Sequence, residues 1–243
     1  MIRLCVIGNP ISHSKSPEIH MELLQKAGIE GSYTAMRVLP EELADFVNSA
    51  KAGAWDGFNV TMPHKEAILP LLDEISPTAQ AICGVNTVVI RHGRAIGHNT
   101  DAPGLLEALP VPVAGKTALI LGFGGAGKAA AYALTQAGAT VKVCCRHPKA
   151  GQYNWEKLAD LAPGCDILVN ATPLGMMGGE KWPDFGFLDG LQNNSIVFDM
   201  VYGPEPTALV TEARRRGLTA MDGRKLLQKQ AEIAFSLFTA QCK

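Results

Sequence analysis

Four short polar segments in the amino-terminal part of the chain carry side chains that could bind and protonate a small polar molecule. They are Ser12–Pro17, Asn59–Lys65, Asn86–Thr87 and Asn99–Asp101. Serine hydroxyls suit a carboxylate, amides suit hydroxyl groups, and a lysine can act as a general acid or base. Each segment also has a plainer interpretation, with Ser16 and Asp101 as helix caps and Lys65 as a surface lysine. The segments indicate chemistry only if the fold brings them together.

A glycine-rich turn in the middle of the chain indicates a dinucleotide site. Residues Gly122-Phe123-Gly124-Gly125-Ala126-Gly127 form the pattern G-x-G-x-x-G directly after a predicted strand and before a predicted helix. Gly122 permits the tight turn, Gly124 lets a pyrophosphate approach the backbone, and Gly127 allows close helix–strand packing. The N–H groups at the helix start, Gly125 and Ala126 included, face the phosphates. The alternative is a glycine-rich turn without a ligand.

The end of the following strand predicts which dinucleotide binds. NAD enzymes usually place an acid there, whereas this chain has Cys144–Lys149 without an acid. The Arg146 guanidinium can pair with a 2′-phosphate, and Lys149 adds charge. We therefore expect NADP to be preferred over NAD; the alternative is that Arg146 is a solvated arginine. A bound dinucleotide would donate hydride, and the polar segments would supply the proton and hold the substrate.

The elements that must position these groups form two α/β domains. Strands and amphipathic helices alternate in residues 1–101, whereas residues 102–223 show the regular alternation of a doubly wound, Rossmann-type parallel sheet. A last helix, predicted over Lys225–Gln241, could cross back, so residues 224–243 are assigned to the first domain. The predicted strands are Leu4–Ile7, Tyr33–Val38, Gly57–Val60, Val85–Ile90, Arg94–Gly97, Thr117–Leu121, Thr140–Cys144, Asp166–Val169, Ser195–Asp199 and Leu218–Met221.

Composition argues against several other classes of protein. The formal net charge of −1 disfavours binding to nucleic acid or anionic lipid. No apolar run approaches the roughly 18–20 residues of a membrane span, and the start lacks a signal-peptide core, so we expect a cytoplasmic protein without membrane association. Six cysteines without zinc-type spacing predict reduced structural thiols and no metal. Three histidines adjoin the polar segments without a chemical role of their own, and we interpret them as polar loop residues: His13, His64 and His98.

The joint pattern resembles the shikimate dehydrogenase family. The segments V-I-G-N-P-I-S-H-S-K-S-P, N-V-T-M-P-H-K, G-V-N-T and N-T-D precede G-F-G-G-A-G in the order typical of that family. The resemblance continues through Asn170–Met176 and Asp199–Tyr202 to Gly223, Gln230, Ala231 and Phe235. It therefore covers nearly the whole chain.

The resemblance implies reversible reduction of 3-dehydroshikimate to shikimate by NADPH, a step of aromatic amino-acid biosynthesis. Lys65 would be the general acid and base, and Asp101 would bind a substrate hydroxyl and orient Lys65. The carboxylate would be held by Ser14, Ser16 and Tyr202, and the ring hydroxyls by Asn59, Thr61, Asn86 and Gln230. The cofactor-binding residues would be Gly122, Gly124, Gly125, Ala126, Gly127, Arg146, Lys149, Thr172, Met200 and Gly223.

The sequence departs from the family pattern at three places and leaves alternatives open. The segment between Arg146 and Asp166 is short, Cys145-Arg146-His147 replaces the usual Asn-Arg-Thr, and Ala102-Pro103-Gly104 replaces the glycine after Asp101. One alternative is a quinate/shikimate dehydrogenase that uses NAD, against which the intact pair Ser14 and Ser16 argues. Another is a non-catalytic dinucleotide sensor, against which Lys65 and Asp101 argue. A monomer and a homodimer are both compatible with the sequence.

Overall fold

The computed structural model describes residues 1–12 and 14–240, so His13, Gln241, Cys242 and Lys243 lie outside the described residues. The chain divides into two compact units. The first comprises residues 1–104 and the chain from Leu227 onward, and the second comprises Leu105–Leu226. Each is an α/β unit, as the sequence predicted, and each contains its own six-stranded sheet.

The sheet of the first unit is mixed, with the strand order β2-β1-β3-β5-β6-β4. Strand β1 pairs in parallel with β2 and β3, whereas β5 pairs antiparallel with β3 and β6. Strands β5 and β6 form a hairpin that turns at His92–Gly93, where both residues have positive φ. The strands are β1 Ile2–Gly8, β2 Gly31–Arg37, β3 Gly57–Val60, β4 Glu74–Ile75, β5 Thr87–Arg91 and β6 Arg94–His98.

The helices of the first unit follow the predicted spacing with one correction. Helix α1 begins at Ser16 itself, with Lys15 in the capping position, so the expectation that Ser16 caps this helix is wrong. Gly28 ends α1 in the left-handed conformation. The helices are α1 Ser16–Ala27, α2 Leu43–Ser49, α3 His64–Ala67, α4 Pro77–Ile82 and α5 Asp101–Ala108, with α5 continuing into the second unit.

The sheet of the second unit is entirely parallel, with the order β12-β11-β10-β7-β8-β9. Its order, with crossovers on either side of β7, is the one typical of the doubly wound dinucleotide-binding fold. The strands are β7 Thr117–Leu121, β8 Thr140–Cys145, β9 Tyr153–Asn154, β10 Ile167–Asn170, β11 Ile196–Asp199 and β12 Thr219–Met221. The helices are α6 Gly125–Gln136, α7 Leu158–Leu161, α8 Ala208–Arg215 and α9 Arg224–Thr239, which enters the first unit at Leu227.

Apolar packing fixes these elements on both sheets. Alternate residues of β7 enter different cores, with Leu119 and Leu121 on one face and Ala118 and Ile120 on the other. The parallel sheet is therefore covered on both faces, as expected from its continuous apolar strands. In the first unit, Phe238 of α9 packs with Leu4 and Val6 of β1. None of the helices within residues 1–12 and 14–240 is long and apolar enough to cross a bilayer.

Candidate functional site

Lys65 and Asp101 form an ion pair in the first unit. Lys65 lies on the short helix α3 after β3, and Asp101 opens α5 after β6. The Lys65 Nζ donates to Asp101 Oδ2 at 2.5 Å, and the two side chains are 22% and 12% exposed. A partly buried ammonium held by a carboxylate is a fixed proton donor that solvent can still reach. The structure thus brings together the two residues predicted to be catalytic.

His64 anchors the turn that carries Lys65. The ring is fully buried, and its Nε2 lies 2.8 Å from the carbonyl oxygen of Val38. The expectation that His64 is a polar loop residue is therefore wrong, because it begins a helix and packs inside. His98 is also not a loop residue, since it ends β6. The pKa of His98 is lowered by burial and by the nearby Arg91 charge, which favours its neutral form.

A buried hydrogen-bond network joins β2, β3 and β5 of the first unit. The Tyr33 hydroxyl donates to Asn59 Oδ1 at 2.7 Å, and the Asn59 Nδ2 donates to the Asn86 carbonyl oxygen at 3.0 Å and to Thr87 Oγ1 at 2.9 Å. Burial and the neighbouring Cys5 raise the pKa of Tyr33, whereas a hydrogen bond with Ser16 lowers it. Both amide protons of Asn59 are used within the protein, so this residue holds its neighbours in place.

The same network continues to the last helix. Asn86 Oδ1 accepts from the Thr100 backbone N–H at 2.8 Å, and Asn86 Nδ2 donates to Thr100 Oγ1 at 3.0 Å. The Thr100 hydroxyl then lies 3.4 Å from Gln230 Oε1 on α9. Asn86 uses one of its two amide protons on Thr100, which leaves donor capacity for a ligand. The predicted residues Asn59, Asn86 and Gln230 are thus joined into one polar cluster.

The serine segment lies at the start of α1. The Ser16 backbone N–H donates to Ser14 Oγ at 3.3 Å, and the Ser16 side chain is largely buried. Thr61 follows β3, close to Gly8, where an added Cβ would lie 2.5 Å from the Thr61 methyl group. One turn beyond Ser16, His20 stacks on Tyr33 with ring centroids 4.2 Å apart. Burial lowers the pKa of His20 to about 4, so its ring is neutral near neutral pH.

The glycine turn of the second unit fits a dinucleotide. Gly122 has a φ of 89°, and a Cβ on Gly127 would lie 2.2 Å from the Gly122 carbonyl oxygen. A Cβ on Gly124 would meet nothing within 4 Å, so space is open where a pyrophosphate would approach. Gly124 precedes the twelve-residue helix α6 without a capping side chain, so the first-turn N–H groups, those of Gly125 and Ala126 included, are available.

An acid that the sequence scan missed lies beside the predicted 2′-phosphate ligand. Arg146 follows β8, and its Nη2 lies 3.0 Å from Glu180 Oε2, with the side chains 69% and 67% exposed. Glu180 belongs to the segment after β10, so the sequence around Arg146 does not predict this contact. Lys149 is exposed, and its backbone N–H donates to Gln152 Oε1 at 3.0 Å.

The other predicted residues of the second unit follow the carboxyl ends of its strands. Thr172 follows β10, and Met200 and Tyr202 follow β11. Burial raises the pKa of the half-buried Tyr202. Gly223 follows β12, where an added Cβ would lie 2.3 Å from the Met200 carbonyl oxygen.

The thiols and acids of the described residues form no disulfide and no metal site. Four cysteines are buried and Cys83 is exposed, and all five are free. Burial raises the pKa of Cys144 to about 11, which keeps it a thiol. Residues 1–12 and 14–240 contain no cluster of three or more His, Cys, Asp or Glu side chains that could hold a metal ion.

Two family models match the chain. The shikimate dehydrogenase substrate binding domain matches residues 6–88. The NAD binding domain of the D-isomer specific 2-hydroxyacid dehydrogenases matches residues 91–177. The first match contains Lys65 and the network residues Tyr33, Asn59 and Asn86, whereas the second contains the glycine turn.

Individual relatives extend over nearly the whole chain. The shikimate dehydrogenase (NADP(+)) of Archaeoglobus fulgidus is 41% identical over 256 residues, which cover 98% of this chain and 93% of the relative. The protein of the same description from one strain of Thermus thermophilus is 41% identical over 248 residues, with the same coverage. A crystal structure of shikimate 5-dehydrogenase from another strain of that species, in complex with NADP(H) and shikimate, superposes with a TM-score of 0.91 at 38% identity, covering 99% of this chain and 94% of that one.

Proposed function

This chain belongs to the shikimate dehydrogenase family, and we propose that it interconverts 3-dehydroshikimate and shikimate with NADPH and NADP. The observation that carries the proposal is the Lys65–Asp101 pair at 2.5 Å, in which Asp101 directly follows Thr100 of the polar network. We propose that residues 1–101 with the last helix bind substrate and that residues 102–223 bind the cofactor. The reaction belongs to aromatic amino-acid biosynthesis.

Lys65 moves the proton in this mechanism. When bound at the glycine turn, NADPH would supply the hydride for the carbonyl carbon. Lys65 donates a proton from Nζ to the oxygen as negative charge develops on it, and in the reverse direction the neutral amine takes the hydroxyl proton back. Asp101 accepts a hydrogen bond from Lys65, which fixes the direction of Nζ. The carboxylate of Asp101 can also accept from a substrate hydroxyl.

Hydroxyl and amide groups would hold the substrate. Ser14 and Ser16 would bind the carboxylate, and Thr61, Asn86 and Gln230 would bind ring hydroxyls. Support comes from the hydrogen bond of the Ser16 N–H to Ser14 Oγ and from those that join Asn86 through Thr100 to Gln230. Fixed polar groups that pair with hydroxyls reject molecules that lack them. Asn59 supports this set through its bonds to Asn86 and Thr87.

Backbone groups and two cations would hold the cofactor. The N–H groups at the start of α6 would bind the pyrophosphate, and Arg146 and Lys149 the 2′-phosphate. Thr172, Met200 and Gly223 would line the remainder of the site. A net charge of −1 supports a protein that binds neither nucleic acid nor a membrane surface. We further propose a cytoplasmic monomer or homodimer.

The test is NADPH formation by the purified protein from shikimate, measured beside quinate and with NAD in parallel. Turnover with shikimate and NADP, and much slower turnover in the other pairings, supports the proposal in full. Efficient turnover with quinate or NAD would retain the mechanism and overturn the specificity. No turnover in any pairing would contradict the proposed activity and favour the dinucleotide sensor.

A further inference from the structure

Four turns follow neighbouring strands at one edge of the sheet in the second unit. Strands β12, β11, β10 and β7 lie side by side, and all run in the same direction. The turn after β7 packs on the turn after β10, since a Cβ on Gly122 would lie 2.8 Å from the Thr172 methyl group. The turn after β11 packs on the residue after β12, because the Gly223 N–H donates to the Val201 carbonyl oxygen at 3.0 Å. The remaining contact is the one between the turns after β10 and β11.

A backbone hydrogen bond, from the Met200 N–H to the Asn170 carbonyl oxygen at 2.9 Å, and two buried side chains make that contact. Asn170 ends β10 and Asp199 ends β11, they are register partners, and both are fully buried. Asn170 Nδ2 donates to Asp199 Oδ1 at 2.8 Å. Asn170 Oδ1 accepts from the Thr172 backbone N–H at 3.0 Å and from its hydroxyl at 2.6 Å. Asp199 Oδ1 accepts in turn from the Val201 backbone N–H at 3.0 Å. One amide and one carboxylate thus fix both turns at once.

The surroundings of Asp199 keep this arrangement intact. Its other oxygen, Oδ2, accepts from the Thr207 hydroxyl at 2.6 Å, and Thr207 also caps α8. Burial raises the pKa of Asp199 to about 6, whereas the hydrogen bonds from Thr207, Asn170 and Val201 act in the opposite direction and favour the carboxylate. The Thr172 hydroxyl donates its proton to Asn170 Oδ1, so the Thr172 side chain stabilises the turn.

We propose that Asn170 and Asp199 are positioning residues that hold the turns bearing Thr172 and Met200 in the geometry that binds the dinucleotide. This inference rests on the proposed function. Neither side chain is exposed, so both act through the backbone of the turns they hold. Residues that fix site-bearing segments with buried hydrogen bonds reduce the ordering that binding must otherwise supply.

The test is a fluorescence titration of NADPH against three variants. Asn170→Leu removes the amide at similar volume, and we expect NADPH binding about tenfold weaker or more. Asp199→Asn keeps Oδ1, and the Thr207 hydroxyl can reverse to accept from the new amide, so we expect binding within about threefold of the parent. Ser195→Ala is the matched control, because Ser195 is equally buried at the other end of β11 and donates to the Cys165 carbonyl oxygen at 2.6 Å.

The control separates positioning from general stability. We expect Ser195→Ala to lower the melting temperature but to bind NADPH within about twofold of the parent. Asn170→Leu binding as tightly as Ser195→Ala would overturn the proposal. If Asn170→Leu does not unfold cooperatively, Thr172→Val decides, with about fivefold weaker binding expected and unchanged binding overturning the inference. A parent protein that binds no NADPH would contradict the proposed function instead.

Discussion

The two candidate sites are built by opposite means. In the first unit, side chains bond to side chains, along the path Tyr33, Asn59, Thr87, Asn86, Thr100 and Gln230, and Lys65 is held by Asp101. In the second unit, the cofactor turn is defined by where side chains are missing, at Gly122, Gly124 and Gly127. A side-chain site is sensitive to the loss of a polar atom, whereas a backbone site is sensitive to the gain of a carbon. The predictions below test this distinction.

Loss of the Lys65 ammonium tests the side-chain site most severely. We expect Lys65→Ala to lower kcat by about 10²–10⁴-fold with a much smaller effect on KM, because a positioned acid acts mainly on the transition state. Steady-state kinetics with shikimate and NADP measure both constants. Lys51→Ala is a suitable control, since Lys51 pairs with Asp73 at 3.0 Å in the same unit and is also partly buried. An effect confined to KM would make Lys65 a binding residue.

Two glycine substitutions test the backbone site. Gly124→Ala adds a carbon into open space, so we expect unchanged stability but about tenfold weaker NADPH binding, because the methyl group blocks the pyrophosphate. Gly127→Ala places its carbon 2.2 Å from the Gly122 carbonyl oxygen, and we expect it to destabilise the fold by about 1–3 kcal/mol. Thermal denaturation and NADPH titration distinguish the two. Tight NADPH binding by Gly124→Ala would show that the open space is not the phosphate path.

Removal of one buried hydroxyl tests whether the side-chain network matters as a whole. Tyr33→Phe leaves Asn59 Oδ1 without its donor, which costs about 1–3 kcal/mol of stability. We also expect the KM for shikimate to rise about fivefold with little change in kcat. The reason is that Tyr33 would no longer fix Ser16 directly or Asn86 through Asn59. Tyr153→Phe, on the exposed strand β9, is the control. Unchanged kinetics beside lowered stability would limit Tyr33 to a folding role.

Features set by the local sequence could be predicted, whereas contacts between distant residues, such as those of Tyr33, could not. Strands such as Thr117–Leu121, the parallel sheet and the glycine turn follow from local periodicity and spacing, and the structure confirms them. Two-residue strands such as β9 have too few positions to show a period. The network depends on partners far apart in the chain, with 26 residues separating Tyr33 from Asn59 and 130 separating Thr100 from Gln230. A buried tyrosine signals only that a partner exists, and the fold selects which one.

The Arg146–Glu180 ion pair is a side-chain interaction in the unit that carries the backbone-defined site, and its removal has the smallest expected effect on kinetics. The Glu180 carboxylate pairs with Arg146, the proposed partner of the 2′-phosphate of NADP. Glu180→Gln therefore frees the guanidinium and removes a charge that repels the phosphate. Both side chains are exposed, and such pairs are worth about 0.2–1 kcal/mol, so we expect kcat/KM for NADP to rise about two- to fivefold. The gain should shrink at high salt, because screening weakens exposed pairs. The kinetics of Glu180→Gln with NAD should show no change. Glu156→Gln, the control for loss of one surface charge, should show no change with NADP. An equal gain with NAD would mean that Glu180 acts on a part of the site common to both cofactors.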